Sequence, residues 1–223
     1  MVEIVPEPGL LHSRLNDAAR SLWVDAARDI LIEGGFVALS LRRLAGSLGV
    51  TTGAFYSAFT GQDDLHEALR DKWREQNTTP LITAMTTAGA DGFAQYLAAL
   101  RVTVLDGGLD PRFDNAVRNW AQSSPRTAQV LAEVESQRME LLERMFIALG
   151  FDDKRAVIRA RIAYFHQVGY GTIGVEDDLA ERLLNLRYYA EALTGRDDLM
   201  VCDTADEVRQ FILTGRPPEK APT

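Results

Sequence analysis

Only one of the 223 residues is cysteine, Cys202. No intrachain disulfide can form, and a reducing, cytoplasmic setting is expected. Long hydrophobic runs are also missing: no stretch of 18 apolar residues occurs, so no membrane span is expected. The first residues, MVEIVPEPGLLH, lack a basic start and a long apolar segment, which argues against a signal peptide. Histidine is scarce. His12, His66 and His166 lie far apart and show no metal-ligand spacing. No Gly-rich phosphate loop is present, since Gly34-Gly35-Phe36 ends a helical pattern. No serine-centred nucleophile elbow occurs. The pairs Asp152-Asp153, Asp177-Asp178 and Asp197-Asp198 fall at helix starts or near the C-terminal end, where the helix dipole accounts for most of them. Catalytic residues, metal ligands and cofactors are therefore expected to be none, and the chain is not expected to be an enzyme. Positive charge is short as well. The net charge of −8 excludes a protein coated in basic residues for bulk nucleic-acid binding.

Charge is uneven, however. Residues 14–60 hold five arginines (14, 20, 28, 42, 43) against four acids, while the remainder is acidic. That distribution suits a chain that touches phosphates at one end only. The 46% hydrophobic content is ample for a sizeable core.

Nearly every readable segment has helical period, and no alternating strand run with hairpin turns appears. The expected fold is all-α. A first helix is expected over about 17–33, stopped by Gly34-Gly35. In residues 40–65, Leu41, Leu44, Ala45 and Leu48 form one apolar stripe, with Ser40 before it as a cap and Gly49 after it. A second short helix begins after Thr51, with Phe55 and Phe59 four residues apart. Helix, glycine turn and short helix make a helix-turn-helix pattern, and a helix held this way fits the major groove of DNA. Tyr56 points about 100° away from Phe55, which favours its use at the surface. Thr60 reads as a cap for a further helix, with Asp63 in capping-box position, running to about Asn77.

Later helices are expected over 80–88, from Asp91, from Pro111 to near Gln122, from Pro125 to Leu149, and over about 153–170 and 176–194. Gly169, Gly171 and Gly174 would break the last two. A short helix over about 204–214 is possible, followed by a disordered RPPEKAPT. The expected organisation is an N-terminal extension, flexible, at 1–13; a DNA-binding domain at 14–60; a helical regulatory and dimerisation domain at 61–195; and a C-terminal tail at 196–223.

The segments LWVDAARDILIEGGF, ALSLRRLAGSLGV, TTGAFYSAF and TGQDDL follow one another without a gap over residues 22–65. They resemble the DNA-binding domain of the tetracycline-repressor (TetR) family. The Gly-x-aromatic-Tyr-x-x-Phe pattern of the third helix is its most specific part. RNWAQSSPRTAQVLAEVESQRMELL resembles, more loosely, a ligand-domain segment of that family. The resemblance implies a homodimeric transcriptional regulator, usually a repressor. It implies binding to near-palindromic double-stranded operator DNA and release by a small apolar or amphipathic effector. Ser40 and Arg42 would meet phosphates, with Arg43 beside them. Thr51 and Thr52 would start the recognition helix, and Gly53 and Ala54 would allow close approach to bases. Tyr56 would touch backbone or a thymine methyl, and Gln62 stands where the family often has lysine. The family also often has a basic residue at the place of Thr52 and histidine at that of Ala58. Those losses imply weaker phosphate binding, which Arg42, Arg43, Arg14 and Arg20 would offset.

In the C-terminal body, Met85, Phe93, Tyr96, Phe113, Trp120, Tyr164 and His166 are the candidate effector-lining residues; each also fits an ordinary core position. Ala156, Ala160 and Ala163, with Leu179, Leu183, Leu186 and Tyr189 or Ala190, fit either a dimer surface or an internal core. Trp73, at the end of the helix leading into the body, would be the lever between effector and DNA. Two rival readings remain: a body that recognises a protein partner or no ligand, and an all-α enzyme.

Overall fold

The computed structural model describes residues 8–174 and 177–218. Expectations about residues 1–7, the side chain of Arg14 and residues 219–223 lie outside what it describes. Among the described residues the fold is all-α, without strands. Contacts divide the chain into two units. One runs to Arg74 and takes in Arg112–Leu131; the other comprises Glu75–Pro111 and the rest from Ala132.

In the first unit, α1 spans Pro8–Gly34. It starts well before residue 17, because proline is tolerated in a first turn, where its absent N–H would have no helical partner. A short 3-10 turn, Phe36–Ala38, leads to α2, Leu41–Leu48. Gly49 ends α2 at φ 66°, ψ 27°, a conformation that a side chain would strain. A further 3-10 turn covers Thr52–Ser57, and α3 spans Gln62–Asn77, its last three residues falling in the second unit. The core holds Trp23, Ala27, Leu31, Leu44, Phe55, Phe59, Leu65, Leu69 and Trp73, all buried.

Sequence reasoning did not anticipate that α6, Pro111–Ala121, completes this unit from Arg112 onward, with the first turns of α7, Pro125–Ala148. Trp120 stacks on Phe36 at 5.0 Å, and His66 packs edge-on to both rings. The Trp73 indole N–H donates to Asp114 Oδ1 at 3.1 Å. Glu67 of α3 accepts from Arg70 at 2.5 Å and from Arg126 of α7 at 2.8 Å. Those two guanidinium bonds, Arg126 first, lower its carboxyl to about 2.

The second unit contains α4, Thr79–Thr87, and α5, Gly92–Leu100, which Asp91 caps by accepting from the Ala94 N–H at 2.7 Å. A π turn, Arg101–Leu105, extends α5. Gly92 lies so close to α7 that an added Cβ would fall 2.5 Å from the Leu149 nitrogen. At the C-terminal end of α3, Arg138 of α7 donates to the Asn77 carbonyl at 2.9 Å and to Thr78 Oγ1 at 3.1 Å. A cation there pairs with a buried carbonyl at the negative end of the helix dipole. The helices α8, Asp153–Ile173, and α9, Leu179–Thr194, follow. Gly169 and Gly171 do not break α8, which runs through both and stops at Gly174. An added Cβ at Gly171 would lie 3.0 Å from Pro111 Cβ, so close packing explains that glycine.

The tail expected from residue 196 is not one over 198–214. A 3-10 turn, Asp198–Val201, precedes α10, Ala205–Thr214, and Thr204 with Glu207 forms the full capping box of that helix. Leu199, Cys202, Val208, Phe211 and Ile212 are buried in the same core as Leu97, Leu100 and Phe146.

Candidate nucleic-acid interface

Ser40 holds the start of α2: its Oγ accepts the Arg43 N–H at 3.3 Å, the bond a cap makes to the third helical residue. Arg42 is exposed, with no hydrogen bond or ion pair among the described residues. Arg43 is exposed and makes a long ion-pair contact to Glu33 at 3.9 Å. The Val50 N–H then returns to the Ala45 carbonyl at 3.0 Å, which fixes the turn into Thr51.

Thr51 is extended at φ −80°, ψ 154°, and leaves its hydroxyl out of any capping bond. The turn Thr52–Ser57 is anchored from beneath. Phe55 is fully buried, stacked on Phe59 at 5.2 Å and edge-on to Trp23 at 5.4 Å. Burying two such rings contributes about 1.5–3 kcal/mol each, so the turn is held although it is too short to be stable alone. Tyr56, on the opposite side, is 65% exposed. Thr51, Thr52, Gly53 and Gln62 are also exposed, and Ala54 is half-buried. Every expected contact residue from Ser40 to Gln62 therefore lies wholly or partly at the surface. α2 and the turn that carry most of them pack on each other.

Gly53 is informative because the fold does not require it. A Cβ there would meet only Thr51 Oγ1, at 3.7 Å, and its φ is not in the left-handed region. A glycine that the chain itself does not need fits close approach by something outside the chain.

Two expectations in this region are corrected. Arg20 is not a spare cation. It donates to Asp64 at 2.5 and 3.2 Å and to the Ala58 carbonyl at 2.9 Å, with its guanidinium 4.1 Å from the Phe59 ring centre. Asp64, not Asp63, receives the Thr60 N–H, at 3.0 Å. The Arg20 hydrogen bonds, then the Thr60 N–H, hold the Asp64 carboxyl well below the usual carboxylate range. Because α3 starts at Gln62, a carboxylate four residues after Thr60 reaches back where one three residues after it does not.

The residues expected to line an effector pocket divide between the two units. Phe113 and Trp120 are buried in the first unit, where α6 turns its apolar face onto that unit's core. Met85, Phe93, Tyr96, Tyr164 and His166 belong to the second unit. Met85 and Tyr96 sit in its core. Tyr164 donates to Glu135 at 3.4 Å, and His166 packs on Tyr189 at 4.4 Å. An open groove of about 370 Å³ beside α10, lined by Asp206, Gln210, Thr214 and Arg216, contains none of them. Of the residues expected at a dimer surface or core, Ala156, Ala160, Leu183, Leu186 and Ala190 are internal. Among the described residues no group of three metal-ligating side chains forms, and no helix is long and apolar enough to cross a membrane.

Residues 24–69 match the family described as bacterial regulatory proteins, tetR family. A crystal structure of a transcriptional regulator from Rhodococcus sp. Rha1 is similar at 19% identity and a TM-score of 0.55, covering 88% of this chain and 96% of that one. At that identity the likeness speaks for the fold. No curated protein matches the chain. With its helix-turn-helix inside the matched residues and a larger all-α region following in sequence, the chain carries an N-terminal DNA-binding domain of the tetracycline-repressor (TetR) type.

Proposed function

We propose that the chain is a homodimeric repressor. It binds a near-palindromic operator through residues 40–62 and leaves it when a small apolar or amphipathic effector enters the second unit. It acts by binding rather than by catalysis. The exposed run of Ser40, Arg42, Thr51, Thr52, Gly53 and Tyr56 on two mutually packed elements carries the DNA reading. Hydroxyls and backbone amides at Ser40 and Thr51, with the Arg42 and Arg43 guanidiniums, suit phosphates, which position the protein without reading sequence. Gly53, Ala54 and Tyr56 suit base edges and thymine methyls. Gln62 supplies a neutral donor where a cation would bind phosphate more strongly.

Support for the dimer comes from α8 and α9. Ile158, Ile162, Phe165 and Ile173 form one exposed stripe on α8, and Leu179, Tyr188 and Tyr189 are exposed on α9. Exposed Lys154, Arg155 and Arg161 on α8 complement exposed Glu181 and Glu191 on α9, which favours a second copy of the same face across a two-fold axis. In such a dimer the two recognition turns read successive major grooves when about 34–36 Å apart. An effector that prefers another spacing lowers operator affinity by its differential binding energy.

Footprinting on the DNA upstream of its own coding sequence tests the reading. Two protected half-sites about one helical turn apart, or a multiple of it, are expected. Absence of any protected site would defeat it. A second reading, in which the body binds a protein partner or no ligand, is favoured by the division of the expected lining residues between the two units. Operator release by a cell-extract small-molecule fraction separates the two.

A further inference from the structure

Arg138, a buried cation of the second unit, is bonded to Asn77 and Thr78, while Leu81, Met85, Leu97, Leu100, Met145 and Phe146 are among the buried members of that unit's hydrophobic cluster. One polar side chain stands out in it. Tyr96 on α5 is 4% exposed, and its hydroxyl has no hydrogen-bond partner among the described residues. An unmatched buried hydroxyl costs about 1–3 kcal/mol, so its place among aliphatic side chains calls for a reason. Phenylalanine would fill the same space without that cost. Burial alone pushes its phenol well above the ordinary tyrosine value, so the hydroxyl stays a neutral donor at every physiological pH.

Three features around it suit adaptation. Met85 and Met145, both about 1% exposed, are flexible and re-pack readily. One turn beyond Tyr96 the α5 helix gives way to the π turn Arg101–Leu105, closed by the Asp106 N–H on the Arg101 carbonyl at 2.9 Å. Such turns often mark functional sites. Phe93 stacks beside Tyr96 at 6.3 Å and offers a ring face.

We infer that Tyr96 is the polar anchor of an effector site in this core, which takes a neutral, largely apolar molecule carrying one hydrogen-bond acceptor, such as a ketone or ester carbonyl. The Tyr96 O–H donates to that oxygen, and the aliphatic and aromatic side chains take the remainder. The hydrophobic side chains of the cluster offer no charge to pair with an ionic ligand. This inference rests on the reading of the second unit as an effector domain.

Acetophenone and ethylbenzene are matched probes of nearly equal shape, differing by a carbonyl in place of a methylene. Binding of each to the full-length wild type and to Tyr96→Phe is measured by calorimetry, with thermal unfolding of both proteins without ligand. Wild type is expected to bind acetophenone about tenfold tighter than ethylbenzene, the worth of one matched hydrogen bond. Tyr96→Phe is expected to bind both equally and to unfold, ligand-free, at the same temperature as wild type or higher. Equal binding of the probes by wild type, binding of neither, or discrimination that survives in Tyr96→Phe would overturn the inference. So would a clear drop in the unfolding temperature of ligand-free Tyr96→Phe, which would mean that the hydroxyl is already satisfied inside the fold. Operator footprinting of the same wild-type preparation keeps the two claims apart. Protected DNA with no probe binding removes the anchor and leaves the regulator reading, whereas absent protection removes that reading.

Discussion

The surface over residues 40–62 exposes hydroxyls, a guanidinium, a tyrosine and a glycine with free space, whereas the surface over α8 and α9 exposes Ile158, Ile162, Phe165, Tyr188 and Tyr189. Both are carried by helices whose opposite sides are packed in a core, so neither composition is a by-product of weak folding. Small polar groups around a glycine gain little from one another and suit a charged, hydrated partner such as a phosphate backbone. A stripe of branched and aromatic side chains is costly in water and suits an apolar partner of like kind. One chain thus presents two faces with different solvation, and each points to a different class of partner.

The comparison can be broken from the apolar side first. The double substitution Ile162→Asp with Phe165→Asp is expected to weaken self-association by about 2–4 kcal/mol, as loss of central interface anchors does. Sedimentation should then show monomers, with the helical signal unchanged because both side chains are more than half exposed. A dimer that persists would place the interface elsewhere.

On the polar side, Gly53→Leu is expected to lower operator affinity by about 1–3 kcal/mol, the scale of a lost base contact. Its thermal unfolding should match wild type, since a Cβ there meets nothing closer than 3.7 Å. Unaltered operator affinity would show that Gly53 does not face DNA. Arg42→Ala has a smaller effect: the slope of log affinity against log salt should flatten by about 1. An identical slope would remove Arg42 from the phosphate contacts. The smallest effect concerns what holds the polar face in place. The Asp64 carboxyl titrates below its ordinary value because Arg20 and Thr60 bind its charged form. Its stabilisation is complete above about pH 5, where the unfolded carboxyl is fully ionised. It is lost as the pH falls through the lower folded value. Asp64→Asn should remove that acid limb and cost about 1 kcal/mol at neutral pH after allowance for solvent screening. Chemical denaturation between pH 2 and 7 measures both.

Much of the first unit was legible in the sequence because its signals are local. Ser40 and Gly49 bracket an eight-residue stripe, and Phe55 with Phe59 sets which side of the turn faces inward. Periodicity decides a face within one helix, so the exposed side of Tyr56 is legible from the buried Phe55 and Phe59. The role of Arg20 is not legible locally, because its partner, Asp64, is 44 positions away in sequence. The same limit applied to α6. Its apolar period was plain, but nothing local said that Phe113 and Trp120 would be buried with Phe36 and His66 rather than with Tyr96.

The sequence by itself determined that the chain is helical, where most helices start and stop, and that residues 22–65 resemble a TetR DNA-binding domain. Caps, glycine turns and 3.6-residue stripes are written within a few residues of where they act. Only the tertiary structure decided which apolar stripe meets which. It placed α6 with the DNA-binding unit, drew α10 into the core and left Ile162 and Phe165 outside. A stripe specifies that a face must be buried but not against what, and that choice rests on packing between segments far apart in the chain.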